Sequence, residues 1–314
     1  MVAHSTNELT RPVWSVMIPA YNPPAEWFKQ ALDSVLQQSL SPAEMQIEVV
    51  DDCSPTVSVQ EWVRRIAGDR IGYSRTPKNL GLAGCWNYCI ERARGTWVHL
   101  LHQDDYILPG FYAALGRAAE AHPSVNLMAT RAHLVDSAGV SKTTTPRIPD
   151  LETGGTAVED FFYTTPIQCP AIVVRRSFYE AHGGFRNDLT FSLDCEMWTR
   201  VISKGGGVVL PEILAAYRMT DVNQSSRLSR TAEGLRDLQR LHRIFSERHQ
   251  RFDPKKGARE ICEIAWKRFQ FYNSRGDIEA ANANFEFWNL FAPASMRLRK
   301  SARSLPARLK RLVR

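Results

Sequence analysis

Short apolar runs alternate with helix-like segments through the N-terminal part of the chain, and this alternation limits the folds that the chain can adopt. The run VWSVMIP begins at Val13, and the AEWFKQALDSVLQQS that follows has apolar residues at helical spacing. Two further segments of helical periodicity separate the runs QIEVV and TWVHLL. Strands and helices that alternate at this spacing form a doubly wound, mostly parallel sheet. The sequence therefore predicts an α/β fold whose ligands bind at the carboxyl ends of the strands.

The pattern changes twice further along the chain. The segment from Arg131 to Thr156 is rich in Thr, Pro and Gly, which fits either an exposed hairpin or a mobile loop. From Leu228 to Asn289 the periodicity is helical and charged, with no strand signal. These changes predict a flexible N-terminus at 1–12, an α/β domain at 13–227, a helical extension at 228–291 and a basic amphipathic tail at 292–314.

Positive charge is concentrated in the predicted tail. The chain has 314 residues, with 40 Lys+Arg, 33 Asp+Glu and a net charge of +7. Eight basic residues and no acidic residue follow Glu286, which leaves 32 basic against 33 acidic residues in the rest of the chain. The body is therefore close to neutral, and the basic character belongs to the tail.

The tail also has an apolar stripe. Leu298, Ala302, Leu305, Leu309 and Leu312 recur at helical spacing among the basic residues. We predict peripheral contact with an anionic membrane surface, because basic amphipathic helices bind anionic lipid. A solvated basic helix, or one docked on the body, would explain the same pattern. Nucleic-acid binding is disfavoured, because no aromatic residues interleave with the charges.

The sequence contains no recognisable targeting or membrane-spanning segment. The first residues, MVAHSTNELTRP, have no apolar core, and no apolar run approaches the ~18 residues of a membrane span. The six cysteines are scattered without a C-x-x-C pair, a pattern typical of reduced, buried thiols. We therefore expect a cytoplasmic protein that contacts the membrane only at its surface.

Adjacent carboxylates follow two of the predicted strands, as Asp51-Asp52 and Asp104-Asp105. Aspartates at such positions often form simple turns. If the two pairs converge, however, their repulsion calls for a cation, and a hard ion such as Mn²⁺ or Mg²⁺ suits carboxylate ligands and phosphate oxygens. His102 offers a nitrogen ligand, which would favour Mn²⁺. No glycine-rich phosphate loop is present, so a metal would carry most of the charge of a diphosphate.

A further pair of acids, Asp194 and Glu196, lies near the start of a predicted helix. The helix dipole alone favours acids in a first turn. Residues two apart on a helix point in different directions, so at most one of the two faces the ligand crevice.

Taken in order, several segments make the chain resemble the family 2 glycosyltransferases of the GT-A fold. The resemblance runs from Val13 to Ser226 and is carried by SVMIPAYNPP, VVDDCSP, NLGLAGCWNYCIERARGTWVHLLHQDD, GGF, LDCEMWTR and YRMTDVNQSS. It implies a GT-A-like catalytic domain at 13–227 that uses a nucleotide-sugar. The ordered set is more specific than any one segment.

The resemblance implies roles for individual residues on the donor side. Asp52 matches the aspartate that reads the nucleotide base, and Asp104 and Asp105 match the acidic motif that binds ribose and the metal-diphosphate. One position departs from the family: the usual metal motif has an acid two positions before its final acid, and here that place holds His102, with Gln103 between it and Asp104. The remaining implied donor contacts are Pro19, Ala20, Tyr21, Asn22, Asp51, Asn79, Gly81 and Asn87.

On the acceptor side, Asp194 occupies the place of the general base, with Glu196 and Trp198 on the same helix. The implied reaction is metal-dependent, inverting transfer of a hexosyl or N-acetylhexosaminyl group. It would run from a nucleotide diphosphate-sugar to a hydroxyl of a lipid-linked or surface-glycan acceptor. A nucleotidyltransferase is one alternative, although Pro19 to Pro24 replace its glycine-rich loop. His102 keeps open a second alternative, a catalytically silent module that binds nucleotide-sugar or glycan.

Overall fold

The computed structural model describes residues 11–220 and 224–298 of the chain. Within these residues, nine strands form one sheet and helices follow most of them. The strands are β1 (Trp14–Ala20), β2 (Met45–Asp51), β3 (Gly72–Arg75), β4 (Trp97–Leu100), β5 (Tyr106–Ile107), β6 (Leu127–Val135), β7 (Ser141–Thr144), β8 (Ile172–Arg175) and β9 (Gly207–Arg218). The helices are α1 (Ala25–Leu36), α2 (Val59–Ala67), α3 (Gly81–Arg92), α4 (Phe111–Ala121), α5 (Pro149–Glu152), α6 (Arg176–His182), α7 (Leu193–Gly205), α8 (Gln224–Arg230), α9 (Glu233–Arg248), α10 (Pro254–Ser274) and α11 (Ile278–Phe291).

The order of the strands brings the predicted site segments to one edge of the sheet. The order is β3-β2-β1-β4-β8-β6-β9-β5, with β7 paired to β6. Strands β3, β2, β1 and β4 are parallel to one another, and Ala20 at the end of β1 lies opposite Asp51 at the end of β2. The predicted α/β fold with a C-terminal helical extension is confirmed, and the loops after β1, β2 and β4 share one edge.

The second half of the sheet is mixed in direction. Strand β8 is antiparallel to both β4 and β6, whereas β6 and β9 are parallel. The segment from Arg131 to Thr156, for which a hairpin and a mobile loop were both open, contains the antiparallel hairpin of β6 and β7. The run VVLPEILAAYRM fits either one strand or two by its pattern, and the structure forms a single strand, β9.

Burial follows the periodicity of the sequence. All seven residues of β1 and of β2 are buried, as expected for strands covered on both faces. On α1 the buried apolar residues are Phe28, Ala31, Leu32 and Val35, which form one helical face against the sheet. All six cysteines are free, and all but the half-buried Cys53 are buried, in keeping with reduced packing thiols.

The chain divides into two compact units. One holds the described residues up to Asp188 together with Leu193–Thr220, and the other holds Leu189–Ser192 and the described residues from 224 onward. The domain boundary at 227 stays a prediction. Of the predicted terminal segments, residues 1–10 and the tail from 299 onward lie outside the described residues.

The second unit is helical and has its own apolar core, which includes Leu235, Ile261 and Trp288. A fully buried carboxylate, Asp237 on α9, accepts hydrogen bonds from the backbone N–H groups of residues 190, 191 and 192, at 3.2, 2.9 and 2.8 Å. The Ser192 hydroxyl donates to the same carboxylate at 2.7 Å. Among the helices that the structure describes, none is both long and apolar enough to cross a membrane.

Candidate active site

The carboxylate of Asp51 is bound by other side chains and by the backbone of the protein. It is fully buried and lies 2.5 Å from Nη1 of Arg75, while the Tyr73 hydroxyl and the Ser54 N–H each donate to it at 2.9 Å. These contacts join the ends of β2 and β3 and neutralise the charge. The predicted contact of Asp51 with the donor stays a prediction, and its partners point to a supporting role.

Asp52 caps helix α3. Its carboxylate accepts from the backbone N–H groups of Leu80 at 2.8 Å and Gly81 at 3.1 Å, at the positive end of the helix dipole. The Asn79 side chain accepts from the same Gly81 N–H at 3.0 Å. Gly81 has φ of +71°, a conformation that glycine adopts most easily. The structure thus brings three of the predicted donor residues together at one helix N-terminus.

The loops after β1 and β4 are joined through Gln103. Its side chain accepts from the Tyr21 N–H at 2.7 Å and donates to the Tyr21 carbonyl at 3.3 Å. Pro19 and Ala20 are the last, buried residues of β1, whereas Tyr21 is 45% exposed at the edge. Gln103 lies between His102 and Asp104 in the sequence and was not among the predicted site residues. Its partner Tyr21 lies 82 residues away along the chain, so no local sequence pattern could have predicted this contact.

Asn22 continues this edge and links it to the loop after β2. It has φ of +44°, and its N–H donates to the Ser54 hydroxyl at 2.9 Å. The Asn22 side-chain oxygen accepts from the Thr56 hydroxyl at 2.7 Å. Asparagine tolerates this left-handed conformation better than most residues. The loops after β1, β2 and β4 therefore form one hydrogen-bonded rim.

The predicted metal ligands His102, Asp104 and Asp105 converge in this rim. One ligand atom from each residue lies within 4.8 Å of the other two. Among the described residues, Nε2 of His102 and Oδ2 of Asp105 are buried and have no hydrogen-bond partner. Buried polar atoms normally have partners, so two such atoms in one cluster fit a divalent cation with mixed oxygen and nitrogen ligands.

The two carboxylates of the cluster repel each other, and the pKa values of the cluster residues are shifted as a result. Burial, together with the charge of the neighbouring Asp105, raises the pKa of Asp104 to about 6. Burial alone would lower the pKa of His102, but contact with Asp105 and the charges of Asp104 and Asp194 raise it overall. A cation bound here would relieve the repulsion between the carboxylates.

The imidazole ring of His102 packs against a group of aromatic side chains. Its ring stacks on Trp86 with centroids 4.8 Å apart, and Phe185 meets the edge of Trp86 at 4.9 Å. Phe185 in turn meets Trp198 at 5.7 Å. These contacts fix the plane of the imidazole, which a ligating nitrogen requires.

Asp194 lies in the first turn of α7 and shares its surroundings with the cluster. Its carboxylate accepts from the Cys195 N–H at 2.7 Å and lies 3.9 Å from the Cys169 thiol. Burial raises the pKa of that thiol, and the charges of Asp194 and Asp105 raise it further. The candidate base Asp194 and the candidate metal ligand Asp105 are therefore both close enough to Cys169 to shift the pKa of its thiol.

Three other predicted site residues have structural partners. Glu196 is buried and pairs with Arg200 at 3.1 Å, and Trp198 is buried against Phe185. The side-chain amide of Asn87 accepts from the Phe185 N–H at 2.7 Å and donates to the Phe185 carbonyl at 2.9 Å. Contact of these residues with acceptor or donor stays a prediction.

A doubly wound sheet with an acidic cluster at its carboxyl edge is the arrangement expected of the GT-A fold, in which such an edge binds the ligand. Residues 15–183 match the model of glycosyl transferase family 2, and the chain belongs to that family. Family membership also decides against the nucleotidyltransferase alternative.

Two relatives illustrate the family. Uncharacterized protein MT1568 of Mycobacterium tuberculosis is 30% identical over 249 residues, which are 74% of this chain and 75% of that protein. The amylovoran biosynthesis glycosyltransferase AmsE of Erwinia amylovora is 28% identical over 211 residues, 66% of this chain and 76% of that protein. Polysaccharide biosynthesis is therefore represented among the relatives.

Two solved structures share the fold. The S. aureus TarS fragment in complex with UDP-GlcNAc superposes with a TM-score of 0.57 and 17% identity, over 84% of this chain and 74% of that one. The mannosyltransferase PcManGT from Pyrobaculum calidifontis, in complex with GDP-Man and Mn²⁺, gives a TM-score of 0.58 and 16% identity. That match covers 96% of this chain and 83% of the other. At these identities the likeness shows the fold.

Proposed function

We propose that this chain is a metal-dependent, inverting glycosyltransferase that moves a sugar from a nucleotide diphosphate-sugar to a hydroxyl acceptor. The observation that carries the proposal is the cluster of His102, Asp104 and Asp105, with its two buried ligand atoms that have no hydrogen-bond partner among the described residues. The cluster lies at the carboxyl edge of the sheet, where α/β folds of this kind bind their ligands.

These three residues would hold the cation, with Asp105 as the central oxygen ligand and His102 as the nitrogen ligand. When bound, a Mn²⁺ or Mg²⁺ ion supplies stabilisation of the negative charge that develops on the departing diphosphate. Asp52, Asn79 and Gly81 surround the N-terminus of α3 at the same edge. We assign nucleoside contacts to this part of the rim and to the exposed Tyr21.

Asp194 is proposed as the general base. Its carboxylate would accept the proton of the acceptor hydroxyl as that oxygen bonds to the anomeric carbon. The bond from the anomeric carbon to the diphosphate oxygen breaks in the same step, and its electron pair leaves with the nucleoside diphosphate. Attack on the face opposite the leaving group inverts the anomeric centre.

The relatives support the proposed donor and acceptor classes. TarS and PcManGT have structures with UDP-GlcNAc and GDP-Man, and the latter also with Mn²⁺. We therefore propose hexosyl or N-acetylhexosaminyl donors. AmsE is named for amylovoran biosynthesis, which supports a surface-glycan or lipid-linked precursor as the acceptor and a role in the cell envelope.

The basic tail supplies the proposed membrane contact. Its eight basic residues would attract an anionic surface and bring the site to a lipid-linked acceptor. Deletion of 299–314 should reduce binding to vesicles of anionic lipid while leaving the sugar-nucleotide affinity unchanged. Equal partitioning of both proteins onto such vesicles would remove this part of the proposal.

Thermal denaturation with nucleoside diphosphates and nucleotide-sugars tests the donor class. Each ligand is added with Mn²⁺, with Mg²⁺ and with chelator. A ligand held at 100 times its Kd should stabilise the fold by ~2.7 kcal/mol, and we expect this only with metal. A transfer assay with the donor so identified then separates an enzyme from a silent binding module. Stabilisation that is equal with chelator would contradict metal dependence.

A further inference from the structure

We propose that Arg218 is the positioning residue of the metal loop, which we define as His102–Asp105, and that it sets the metal affinity of the site. Arg218 is the last residue of β9 and touches none of the reacting groups directly. The inference rests on the proposed function in one respect, namely that a divalent cation binds this loop.

Arg218 is a buried cation with an unusual set of partners. It is 2% exposed, and a buried guanidinium is tolerated only when hydrogen bonds satisfy it. Its Nε donates to the Asp104 carbonyl at 2.9 Å, and Nη1 donates to the Ser137 carbonyl at 2.9 Å and the Asp136 carbonyl at 3.2 Å. Nη2 donates to Oε1 of Gln30 at 2.5 Å. The side chain thus joins the metal loop to α1 and to the turn between β6 and β7.

The backbone of Arg218 acts on the same loop. Its N–H donates to Oδ1 of Asp105 at 2.8 Å, while Oδ2 of that carboxylate lies 3.4 Å from Nδ1 of His102. Oδ1 of Asp105 therefore accepts a hydrogen bond from Arg218, and this bond orients the carboxylate so that Oδ2 lies inside the cluster. Together the two contacts of Arg218 fix both the backbone of Asp104 and the orientation of the Asp105 ligand.

Aromatic rings hold the guanidinium in place. Its central carbon lies 5.1 Å from the ring centroid of Trp27 and 5.7 Å from that of Tyr106. The Trp27 ring is itself tied to the turn, because its Nε1 donates to the Ser137 carbonyl at 3.2 Å. A lysine would keep the charge but would lose the planar fork that reaches four acceptors in different directions.

The test is a titration of the full chain with Mn²⁺ in the absence of nucleotide. The electron paramagnetic resonance signal of free Mn²⁺ measures how much of the ion is bound. Arg218→Lys removes the fork, and Gln30→Leu removes one acceptor from the exposed face of α1. Arg175→Lys is the matched control. Arg175 also binds two backbone carbonyls, at 3.2 and 2.8 Å, and covers the Trp97 ring at 4.4 Å, but at the opposite end of β4 from the metal loop.

We expect Arg218→Lys to weaken Mn²⁺ binding about tenfold, the usual size of a lost supporting contact at a metal site. Gln30→Leu should weaken it by a smaller factor, and Arg175→Lys should leave it unchanged. Circular dichroism and thermal denaturation establish that each variant is folded. A purely structural role would lower the stability of Arg218→Lys and Arg175→Lys alike without changing Mn²⁺ affinity.

Two results would overturn the inference while leaving the proposed function intact. One is wild-type Mn²⁺ affinity in folded Arg218→Lys. The other, should Arg218→Lys not fold, is wild-type affinity in Gln30→Leu. If the wild-type protein itself binds no Mn²⁺ at millimolar concentration, the metal dependence of the proposed function fails, and the role of Arg218 fails with it.

Discussion

Nδ1 of His102 lies 3.4 Å from Oδ2 of Asp105, at the carboxyl edge of the sheet. In the described part of the chain, that oxygen and the other ring nitrogen of His102 have no hydrogen-bond partner. A histidine thus stands where the family motif has an acid, and it faces the aspartate that the motif retains. The departure from the motif therefore places a nitrogen atom where the motif has carboxylate oxygens, and we propose that this nitrogen ligates the cation.

Replacement of Asp105 should remove metal-dependent nucleotide binding. Asp105→Ala deletes both the oxygen that lies in the cluster and the acceptor of the Arg218 N–H. The ~2.7 kcal/mol of stabilisation by nucleoside diphosphate with Mn²⁺ should disappear in thermal denaturation. Asp33→Ala, which removes an acid that pairs with Lys29 on α1, is the control and should respond like the wild type. Persistent Mn²⁺-dependent stabilisation in Asp105→Ala would exclude Asp105 as a ligand.

Replacement of His102 should change the choice of metal. Imidazole nitrogen favours Mn²⁺ over Mg²⁺, which prefers oxygen ligands. In His102→Asp, which restores the acid of the family motif, the ratio of the Mg²⁺ and Mn²⁺ dissociation constants should fall by about tenfold. Isothermal titration with each ion measures this ratio. The same ratio in both proteins would show that His102 does not ligate the metal.

Replacement of Asp194 should affect the chemical step rather than donor binding. Asp194→Asn keeps the size of the side chain but cannot accept the proton of the acceptor hydroxyl. We expect kcat for transfer to fall by more than tenfold, or more than about 1.4 kcal/mol of barrier, with donor affinity unchanged. Asp188→Asn, at an exposed carboxylate paired with Arg186, is the control. A loss within tenfold would assign the base elsewhere.

Metal affinity should depend on pH in the mildly acidic range. The pKa of Asp104 is raised to about 6 by burial and by Asp105, so its carboxyl is protonated below that pH and cannot ligate a cation. The pKa of His102 is raised as well, and its protonation opposes metal binding in the same direction. Each proton that the cation must displace increases the Kd for Mn²⁺ by about tenfold per pH unit, so with both groups protonated the increase below pH 6 should approach about a hundredfold per unit. A Kd that stays constant down to pH 5 would contradict this prediction.

The buried carboxylate of the helical unit should contribute strongly to stability. Asp237→Ala would leave three backbone N–H groups and the Ser192 hydroxyl without their acceptor, which we expect to lower the free energy of unfolding by about 3 kcal/mol. Asp253→Ala is the comparison, because Asp253 accepts from two N–H groups at the exposed start of α10. Its loss should lower that free energy by only about 1 kcal/mol. Urea denaturation of both variants measures the difference, and equal effects would refute the argument from burial.

The sequence by itself determined the order of the elements and the position of the acidic motifs. The runs VWSVMIP, QIEVV and TWVHLL form β1, β2 and β4 as predicted, and the helical segment after the first run forms α1. Asp51 ends β2, and Asp104-Asp105 follow β4, as predicted. Periodicity and turn residues are properties of short segments, and parallel strands bring their carboxyl ends to one edge. These features could therefore be predicted without knowledge of distant contacts.

Only the tertiary structure decided which polar side chains are left for ligands. Asn87 bonds Phe185, 98 residues further along the chain, and Arg218 bonds Asp104, 114 residues before it. Asp51 and Asp105 both follow strands, yet Arg75 neutralises the first, whereas the second keeps a buried oxygen without a hydrogen-bond partner in the described residues. The difference lies in partners that the fold brings from distant segments, because a side chain's hydrogen bonds depend on its neighbours in space and not on its neighbours in sequence.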